Sequence, residues 1–378
     1  MSFVSTYSAL SIRGFVGQPT GWIFANSLSK TSTTANIELG YSVDIDNNGQ
    51  YAVLGSRGLT YATVYTGSSF SSLSNITPSY GGSTSFGDNI VINGVGNIIS
   101  AADSSNVVVF YRAISSWSQT QVLTGFTGGL VTVAVNNTDE YLAIASGNVN
   151  VYTGANGTYS LQQTLTTNNS GRSAIAFNAT GDYLISGNTG YNSSRGQLFV
   201  YNRSGTTWSL QQTLQPSITA VGATFGNAAD INEYGNVIVV SAPSMNSGAG
   251  VGSGTAYVFN RSGTTWTQTQ ILLPNDTASN QNFGSSISIN NIGNVVMIGA
   301  DGDDAGGIGT VNRGAVYVFE NIQNTWIQTQ KIISPAPANS EFFGFATSLA
   351  GNASIALIGA PGNDVPNTNV GVGYIFTQ

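Results

Sequence analysis

The sequence predicts an all-β chain that folds into a single seven-bladed β-propeller, with four antiparallel strands in each blade. A unit made only of strands and turns recurs along the chain at a period of roughly 40–60 residues, as in propellers and strand arrays. Helical periodicity is almost absent from the sequence. The last copy of the unit also lacks one strand, and the N-terminal region carries one strand without a unit of its own.

Each copy is marked by an aromatic residue, a polar residue four positions later and an aliphatic residue six positions later. The seven markers are Trp22–Asn26–Leu28, Phe70–Ser74–Ile76, Trp117–Gln121–Leu123, Tyr159–Gln163–Leu165, Trp208–Gln212–Leu214, Trp266–Gln270–Leu272 and Trp326–Gln330–Ile332. The marker recurs in the outermost strand of most units. We therefore interpret it as packing between neighbouring blades and not as a platform for sugar stacking.

The fifth unit shows the four strands most clearly. We expect strands over 225–231, 236–240, 255–259 and 266–272, because each run is short, rich in β-branched and aromatic residues, and bounded by turn residues. Four residues, Asn232 to Gly235, form the turn between the first two strands, with Asn capping the turn and Gly at a positive φ.

The seventh unit ends after its third strand, at Phe376. The segment from about 22 to 28 is a fourth strand, and pairing it onto the seventh unit closes the ring without leaving an unpaired strand. We therefore expect an N-terminal arm over residues 1–19 and one propeller over residues 20–378.

Two short motifs recur at matching offsets in the last three units, Phe-Gly at the first strand and Gly-Ala-Pro after the second. They are Phe225–Gly226 with Ser241–Ala242–Pro243, Phe283–Gly284 with Gly299–Ala300–Asp301, and Phe343–Gly344 with Gly359–Ala360–Pro361. On these motifs the chain resembles the FG-GAP repeat proteins, which include the integrin α-subunit propellers. The resemblance covers about residues 20–378 and is degraded in the first four units. It implies a seven-bladed propeller that binds partners, often with calcium in an Asp-rich loop between the first and second strands.

Composition limits the classes of function. Charged residues make up 7% of the chain and hydrophobic residues 41%, so the chain folds, and its surface is built largely from Asn, Ser, Thr, Gln and Gly. Such a surface suits contact with sugars or with other coat proteins. The net charge is −7, and Lys and Arg are scattered singly, which disfavours nucleic-acid binding.

Cysteine and histidine are both absent. Disulfides, zinc–thiolate sites, Ser-His-Asp triads and Cys-His pairs are therefore excluded. No run of 18 apolar residues occurs, so we expect no membrane insertion. Residues 1–20 do not resemble a secretory signal. We expect either that a signal has been removed or that the protein leaves its cell another way, for example within a virus particle.

The first unit carries the best match to a calcium loop, with Asp44, Asp46, Asn48 and Gly49. Other units place an Asn-x-x-Gly turn at the same position, for example at 93–96. We therefore interpret the loop of the first unit as a turn of the same kind.

A second acidic group is the stronger candidate for a site. Asp301, Asp303 and Asp304 lie in the loop between the second and third strands of the sixth unit, where they are candidate calcium ligands. The sequence does not require a cofactor, and Ca²⁺ is the only candidate cofactor that we consider.

Other residues, in the long loops and in the blade-to-blade connections, form a candidate ligand or partner face with these aspartates. They are Asp276, Glu341, Asp364, Arg313, Arg195 and Tyr191. In a propeller the loops between second and third strands emerge on the same face as the connections between blades. Those loops are long in units four to seven and nearly absent in units one to three. The resemblance to integrins places the ligand site on this face. Alternatively, the acidic residues in these glycine-rich loops only keep the loops soluble and bind nothing.

The function predicted is non-catalytic binding at a surface. A virus-particle component (decoration, fibre or attachment) is our first interpretation, with other coat or surface proteins, or a host glycan or receptor, as partners. The N-terminal arm is then a docking peptide for multimeric assembly. We expect a virion-surface or extracellular location. One alternative is a secreted or cell-surface microbial adhesion module of the FG-GAP type, which could depend on a cation. Another is a carbohydrate-active enzyme that uses paired carboxylates.

Overall fold

The computed structural model describes residues 21–29, 35–67, 69–79, 81, 83, 85–126, 131–167, 173–218, 220–246, 250–304, 311–364 and 368–378. Its strands form seven four-stranded antiparallel sheets, so the predicted seven-bladed propeller is confirmed. The arm predicted over residues 1–19 lies outside the described residues.

Each blade is built from four consecutive strands, except the last, which takes one strand from the beginning of the chain. Blade 1 contains β2 (Ser42–Ile45), β3 (Tyr51–Gly55), β4 (Ala62–Thr66) and β5 (Ser72–Ile76); blade 2 contains β6 (Asn89–Ile92), β7 (Ile98–Ala102), β8 (Asn106–Arg112) and β9 (Trp117–Thr124); blade 3 contains β10 (Thr132–Val135), β11 (Tyr141–Ser146), β12 (Asn148–Ala155) and β13 (Thr158–Leu165); blade 4 contains β14 (Ile175–Phe177), β15 (Tyr183–Asn188), β16 (Gln197–Ser204) and β17 (Thr207–Leu214). Blade 5 contains β18 (Ala229–Ile231), β19 (Val237–Ala242), β20 (Thr255–Ser262) and β21 (Thr265–Leu272); blade 6 contains β22 (Phe283–Ile289), β23 (Val295–Ala300), β24 (Ala315–Ile322) and β25 (Thr325–Ile332); blade 7 contains β26 (Ala346–Leu349), β27 (Ile355–Ala360), β28 (Val372–Thr377) and β1 (Ile23–Leu28).

The ring is closed by β1, as the sequence predicts. This strand pairs antiparallel with β28, with Ile23 opposite Thr377 and Leu28 opposite Gly373. The N-terminal strand therefore supplies the outer edge of blade 7, and the two ends of the described chain lie in one sheet.

Two faces of the ring are distinguished by their connections. We call the face with the turns between first and second strands the turn face, and the opposite face, with the second-to-third-strand loops and the blade-to-blade connections, the loop face. On the loop face the backbone N–H groups of Asn280, Asn282 and Phe283 donate to the carbonyls of Val251, Gly252 and Ser253 at 2.9–3.1 Å. The same three-rung ladder follows blades 4, 6 and 7. The prediction that the two kinds of loop share a face is confirmed.

The Phe-Gly motif occupies the end of this ladder. Phe283 is fully buried, and Gly284 has a φ of +99°. A β-carbon at Gly284 would lie 2.5 Å from that of Ser241, so only glycine fits. In blade 5 the first strand, β18, begins at Ala229, not at 225 as predicted. In blade 1 the motif is Leu39–Gly40.

Side chains at the start of the turns cap them, as the sequence predicts. Asn232 Oδ1 accepts hydrogen bonds from the backbone N–H groups of Asn236 and Val237. Asp46 Oδ1 accepts in the same way from Gln50 and Tyr51, at 2.6 and 2.7 Å. The interpretation of the Asp46 loop as a capped turn is therefore confirmed.

The residues that follow the capping position join all seven blades into one closed circle of hydrogen bonds on the turn face. Each blade donates a backbone N–H to the next, over 2.9–3.4 Å. The donors and acceptors in order are Asn47 to Gly94, Gly94 to the Asn137 side chain, Asn137 to Ala179, Ala179 to Glu233, Glu233 to Asn291, Asn291 to Gly351, and Gly351 to Asn47. This turn-face circle surrounds one mouth of the central channel.

The aromatic–polar marker forms a second set of links between blades, at the outer edge. The Gln270 amide accepts from the backbone N–H of Trp326 at 2.8 Å and donates to its carbonyl at 2.6 Å. We call this arrangement a glutamine clasp. Further clasps join Gln121 to Tyr159, Gln163 to Trp208, Gln212 to Trp266, and Gln330 to Trp22. The prediction that the marker packs neighbouring blades together is confirmed.

The hydrophobic core also lies between blades. Val239 and Leu272 of blade 5 share one cluster with Phe283 and Trp326 of blade 6. Full burial of such side chains contributes roughly 1.5–3 kcal/mol each.

The second-to-third-strand loop of blade 1 spans residues 56–61, so the expectation that this loop is nearly absent there was wrong.

Candidate functional site

Asp303, predicted as a calcium ligand, is a buried carboxylate with several donors around it. Its side chain accepts hydrogen bonds from Tyr317 Oη at 2.6 Å and Gln281 Nε2 at 2.9 Å, and it forms an ion pair with Lys331 Nζ at 3.0 Å. The residue is 2% exposed. Burial of an isolated carboxylate is costly, and these donors offset the cost.

Asp276 joins the same network from the blade-to-blade connection. Its two carboxylate oxygens lie 2.6 Å from Lys331 Nζ and 2.8 Å from Tyr317 Oη. Partial burial raises the pKa of Asp276, but the hydrogen bonds from Lys331 and Tyr317 outweigh that effect and hold its pKa below the usual range. Burial, with the adjacent Asp303 carboxylate, raises the pKa of the Tyr317 hydroxyl. The network therefore fixes the connection onto blade 6.

Asp301 and Asp304 point to different partners. Asp301 Oδ1 accepts from Asn282 Nδ2 at 2.9 Å, and the exposed Asp304 accepts from the backbone N–H of Asn312 at 2.9 Å. Within the described ranges, no group of three or more acidic side chains is arranged to hold a metal ion. The calcium assignment for the blade 6 loop stays a prediction.

Glu341 is the counterpart of Gln281 in blade 7, two residues before the Phe-Gly motif, and it is fully buried. Its carboxylate accepts from Ser334 Oγ at 2.8 Å and Tyr374 Oη at 2.9 Å, and from Asn363 Nδ2 at 3.2 Å. Asn363 is in turn the counterpart of Asp303. The acid and the amide have thus exchanged positions between blades 6 and 7, and both pairs connect the same two loops.

The remaining charged candidates have local roles in their loops. Asp364 is exposed and accepts from the backbone N–H of Asn369 at 2.8 Å, as its counterpart Asp304 does from Asn312. Arg195 Nη1 lies 3.5 Å from the carbonyl oxygen of Asn192. Arg313 Nε is buried and has no hydrogen-bond partner within the described part of the chain.

Tyr191 is placed differently, because it is 40% exposed and borders a cavity of about 320 Å³. The cavity opens on the loop face of blade 4. It is lined by Thr166, Thr167, Asn188, Gly190, Tyr191, Gln197 and Phe199. Every one of these side chains is uncharged. Of the predicted face residues, only Tyr191 lines it.

The central channel contains two carboxylates that we did not predict as site residues. The first strands of all seven blades line a cavity of about 350 Å³, which includes Asp44 of blade 1 and Asp230 of blade 5. Asp44 accepts from Ser348 Oγ at 2.7 Å and the backbone N–H of Ile92 at 2.8 Å, and Asp230 accepts from the N–H of Ile289 at 3.0 Å. Each carboxylate therefore bonds to the neighbouring blade.

Burial raises the pKa of Asp44 to about 6. Burial, with a contribution from the charge on Asp44, raises the pKa of Asp230 to about 7. Both residues stand two positions before the capping residue of their turn, where other blades have Val, Ala or Ser. An acid at that repeat position was the sequence signal for these two groups.

Comparisons with known proteins agree with this architecture. The FG-GAP repeat family matches residues 266–319, from β21 to β24, a range that includes Phe283–Gly284 and Gly299–Ala300. The chain is an FG-GAP-like seven-bladed propeller. The β-propeller domain of Cps50 (Swd1) from Myceliophteria thermophila, a crystal structure, superposes on this FG-GAP-like propeller with a TM-score of 0.63. That similarity covers 95% of this chain and 100% of the other, at 10% sequence identity, and it concerns the fold alone. No curated protein matches the sequence.

A β-propeller that carries an FG-GAP repeat suggests a binding module, since propellers are a fold of protein interactions. None of the helices in the described ranges is long and apolar enough to span a membrane.

Proposed function

We propose that this FG-GAP-like propeller is a non-catalytic binding component of a virus particle, a decoration, fibre or attachment protein that contacts protein or glycan through its loop face. The observation that carries the proposal is the pairing of Ile23 with Thr377. Because β28 runs from the loop face, at Val372, to the turn face, at Thr377, the chain enters β1 on the turn face. An arm before residue 21 therefore joins the propeller on the side opposite the long loops.

The two faces suit two separate contacts. The turn face, with the attachment point of the arm, suits docking onto neighbouring coat proteins. On the loop face, backbone ladders fix the described residues at the bases of the long loops, such as 251–253 and 311–313. Loops on a rigid scaffold are common sites of recognition. A chain in which only 7% of residues are charged also suits close packing between repeated subunits.

The buried acids favour binding over catalysis. Asp303 and Glu341 are buried carboxylates of the loop face, and each accepts hydrogen bonds from three side chains. A general acid or base must reach a bound substrate, and these two groups are directed at the fold itself. We therefore propose no reaction and no required cofactor.

The absence of cysteine permits a sharp test by single-cysteine labelling. Val251→Cys places a thiol on the loop face of blade 5, and Ile292→Cys places one on the turn face of blade 6; the two native side chains are 68% and 56% exposed. Virus particles from the source culture carrying each variant are purified on a density gradient and treated with a thiol-reactive dye. Purified free protein is the matched control, in which both thiols should react.

We expect the chain to co-sediment with particles, with the thiol at 251 labelled and the thiol at 292 protected. A variant lacking residues 1–20 should fold but no longer co-sediment. Recovery of the chain only in the culture medium or on cell surfaces would overturn the particle assignment in favour of a secreted or cell-surface adhesion module. Protection at 251 with labelling at 292 would reverse the two faces.

A further inference from the structure

The cavity beside Tyr191 differs from the rest of the propeller by its paired amide side chains. Asn188 ends β15 and Gln197 begins β16, and the two are direct partners in the antiparallel register. Directly opposed residues place their side chains on the same face of a sheet. Phe199, two residues along β16, lies on that face as well, because strand side chains alternate.

Other blades place pairs of small or apolar residues, without an amide, where blade 4 has this amide pair. The equivalent partners are Ala242 with Thr255, Ala300 with Ala315, Ala360 with Val372, and Ala102 with Val107. Asn188 thus stands where the Gly-Ala-Pro motif has its alanine. A departure of this kind from a repeated pattern brings two amide groups to a position where the other blades named have none, and such departures are expected at functional sites.

Gln197 has unused hydrogen-bonding capacity in the cavity. The residue is 7% exposed and lines the cavity, and its side-chain amide makes no hydrogen bond to any residue in the described part of the chain. This amide is not enclosed by the protein, so its donor and its acceptor are both available to a ligand that enters the cavity. Its neighbour Asn188 is already held by the bond from its Nδ2 to the Thr167 carbonyl at 3.1 Å.

The loop that presents Tyr191 has an unusual backbone that is hydrogen-bonded to the next connection. Asn192, Ser193 and Ser194 all have φ values between +48° and +59°, the left-handed region. Backbone hydrogen bonds from Gly222 to Ser193 and from Thr224 to Ser194 hold this turn against blade 5. The ring of Tyr191 is therefore offered at the cavity rim by a fixed backbone.

We propose that this cavity binds a neutral saccharide unit, with the Tyr191 ring stacking against a sugar face and the Gln197 amide hydrogen-bonding to adjacent hydroxyl groups. An amide supplies both a donor and an acceptor, as a pair of sugar hydroxyls requires. Ligand cavities range over roughly 300–1,000 Å³, so one of about 320 Å³ holds a single ring and not an extended chain. The lining residues that the structure describes are all uncharged, so they provide no cation for a phosphate or carboxylate. The proposal deepens the function proposed above, because it names the ligand class of the loop face.

The test is a titration of the full chain with glucose, galactose, mannose and N-acetylglucosamine, followed by NMR saturation transfer and calorimetry, with sialic acid as the charged comparison. We expect at least one neutral sugar to bind with a Kd of roughly 1 mM. Tyr191→Ala and Gln197→Leu should each weaken binding about tenfold or more. Tyr234→Ala is the matched control, because Tyr234 is a 61% exposed tyrosine on the turn face, and it should leave the Kd unchanged.

Circular dichroism and a melting curve for each variant separate lost binding from lost folding. The saccharide proposal fails if no neutral sugar binds, if both variants bind as well as the parent, or if sialic acid alone binds. The proposed function is tested separately by co-sedimentation and thiol labelling. A particle-bound chain with a labelled loop face that binds no sugar would overturn only the saccharide site.

Discussion

Gln330 and Trp22 are 308 positions apart in sequence, yet the Gln330 amide bonds to both backbone groups of Trp22. Its Oε1 accepts from the Trp22 N–H at 2.7 Å, and its Nε2 donates to the Trp22 carbonyl at 2.8 Å. This clasp joins blade 6 to the strand that completes blade 7. A repeated feature of the outer edge thus also holds the ring closed.

Gln330→Ala should destabilise the fold by roughly 1–3 kcal/mol, because it leaves two part-buried backbone groups without their partner. The free energy of unfolding from urea titrations measures the effect. Gln50→Ala is the control, since the exposed Gln50 side chain makes no hydrogen bond within the described residues and should cost little. Equal losses in the two variants would show that the clasp contributes nothing.

Stability should fall as pH rises from about 4 to about 7, owing to Asp44 and Asp230. Their pKa values in the fold, about 6 and about 7, exceed the unfolded value of 3.8, so the folded state binds more protons in that window. Part of each side chain faces the channel, so we expect each to contribute on the order of 2 kcal/mol.

Melting temperatures measured from pH 4 to pH 8 test this sign. The double variant Asp44→Asn/Asp230→Asn should show a flatter profile and a higher melting temperature at pH 8. Asp46 and Asp139, whose pKa values burial also raises, should maintain a residual slope of the same sign. A parent protein that becomes more stable between pH 4 and pH 7 would contradict the argument.

Lys331→Met should destabilise the protein by roughly 2–4 kcal/mol, because it leaves the buried Asp303 carboxylate without its cation. Adding Asp303→Asn should restore much of the loss, since the amide still accepts from Tyr317. Denaturant unfolding of the two single variants and the double variant gives the coupling energy.

The same variants address calcium. If Asp303 serves the fold alone, millimolar Ca²⁺ should not raise the melting temperature of the parent chain. A calcium-dependent rise that disappears in Asp303→Asn would instead establish the predicted metal site.

Gly284→Ala should be among the more damaging single substitutions, at roughly 2–4 kcal/mol, since it combines a positive φ with a β-carbon 2.5 Å from that of Ser241. Gly263→Ala is the matched control: its φ is +61°, but its β-carbon would meet open space. We expect the control to cost only about 1 kcal/mol, the penalty of the left-handed backbone. Thermal unfolding of both variants measures the difference.

Three features could be predicted from the sequence: the blade count, the strand that closes the ring and the role of the aromatic–polar marker. Each depends on a pattern that occurs in several copies, so an irregular copy can be interpreted by comparison with the regular ones. The acids were harder to place. Asp303 finds Lys331, Tyr317 and Gln281 on three different elements, and no local pattern connects them. The amide pair of blade 4 had a signal, Asn188 at the alanine of a repeated motif, but its register partner Gln197 becomes evident only once the strands are paired.

The turn-face circle passes through every blade in one direction, from Gly351 to Asn47 as well as from each earlier blade to the next. It therefore has no first or last member, and neither does the ring that it ties together. In blade 5 the third and fourth strands are joined by a hairpin turn at Gly263 and Thr264. In blade 7 the third strand ends at Thr377, opposite Ile23 of the fourth strand, so a short hairpin from Gln378 to Gly21 would join these two strands in the same way. The chain could then be opened in a different blade-to-blade connection. For this molecule the order of the blades around the axis defines the structure, and the point at which the polypeptide starts is a matter of gene arrangement. Circular permutation would therefore move the N-terminal segment to another blade without changing the ring.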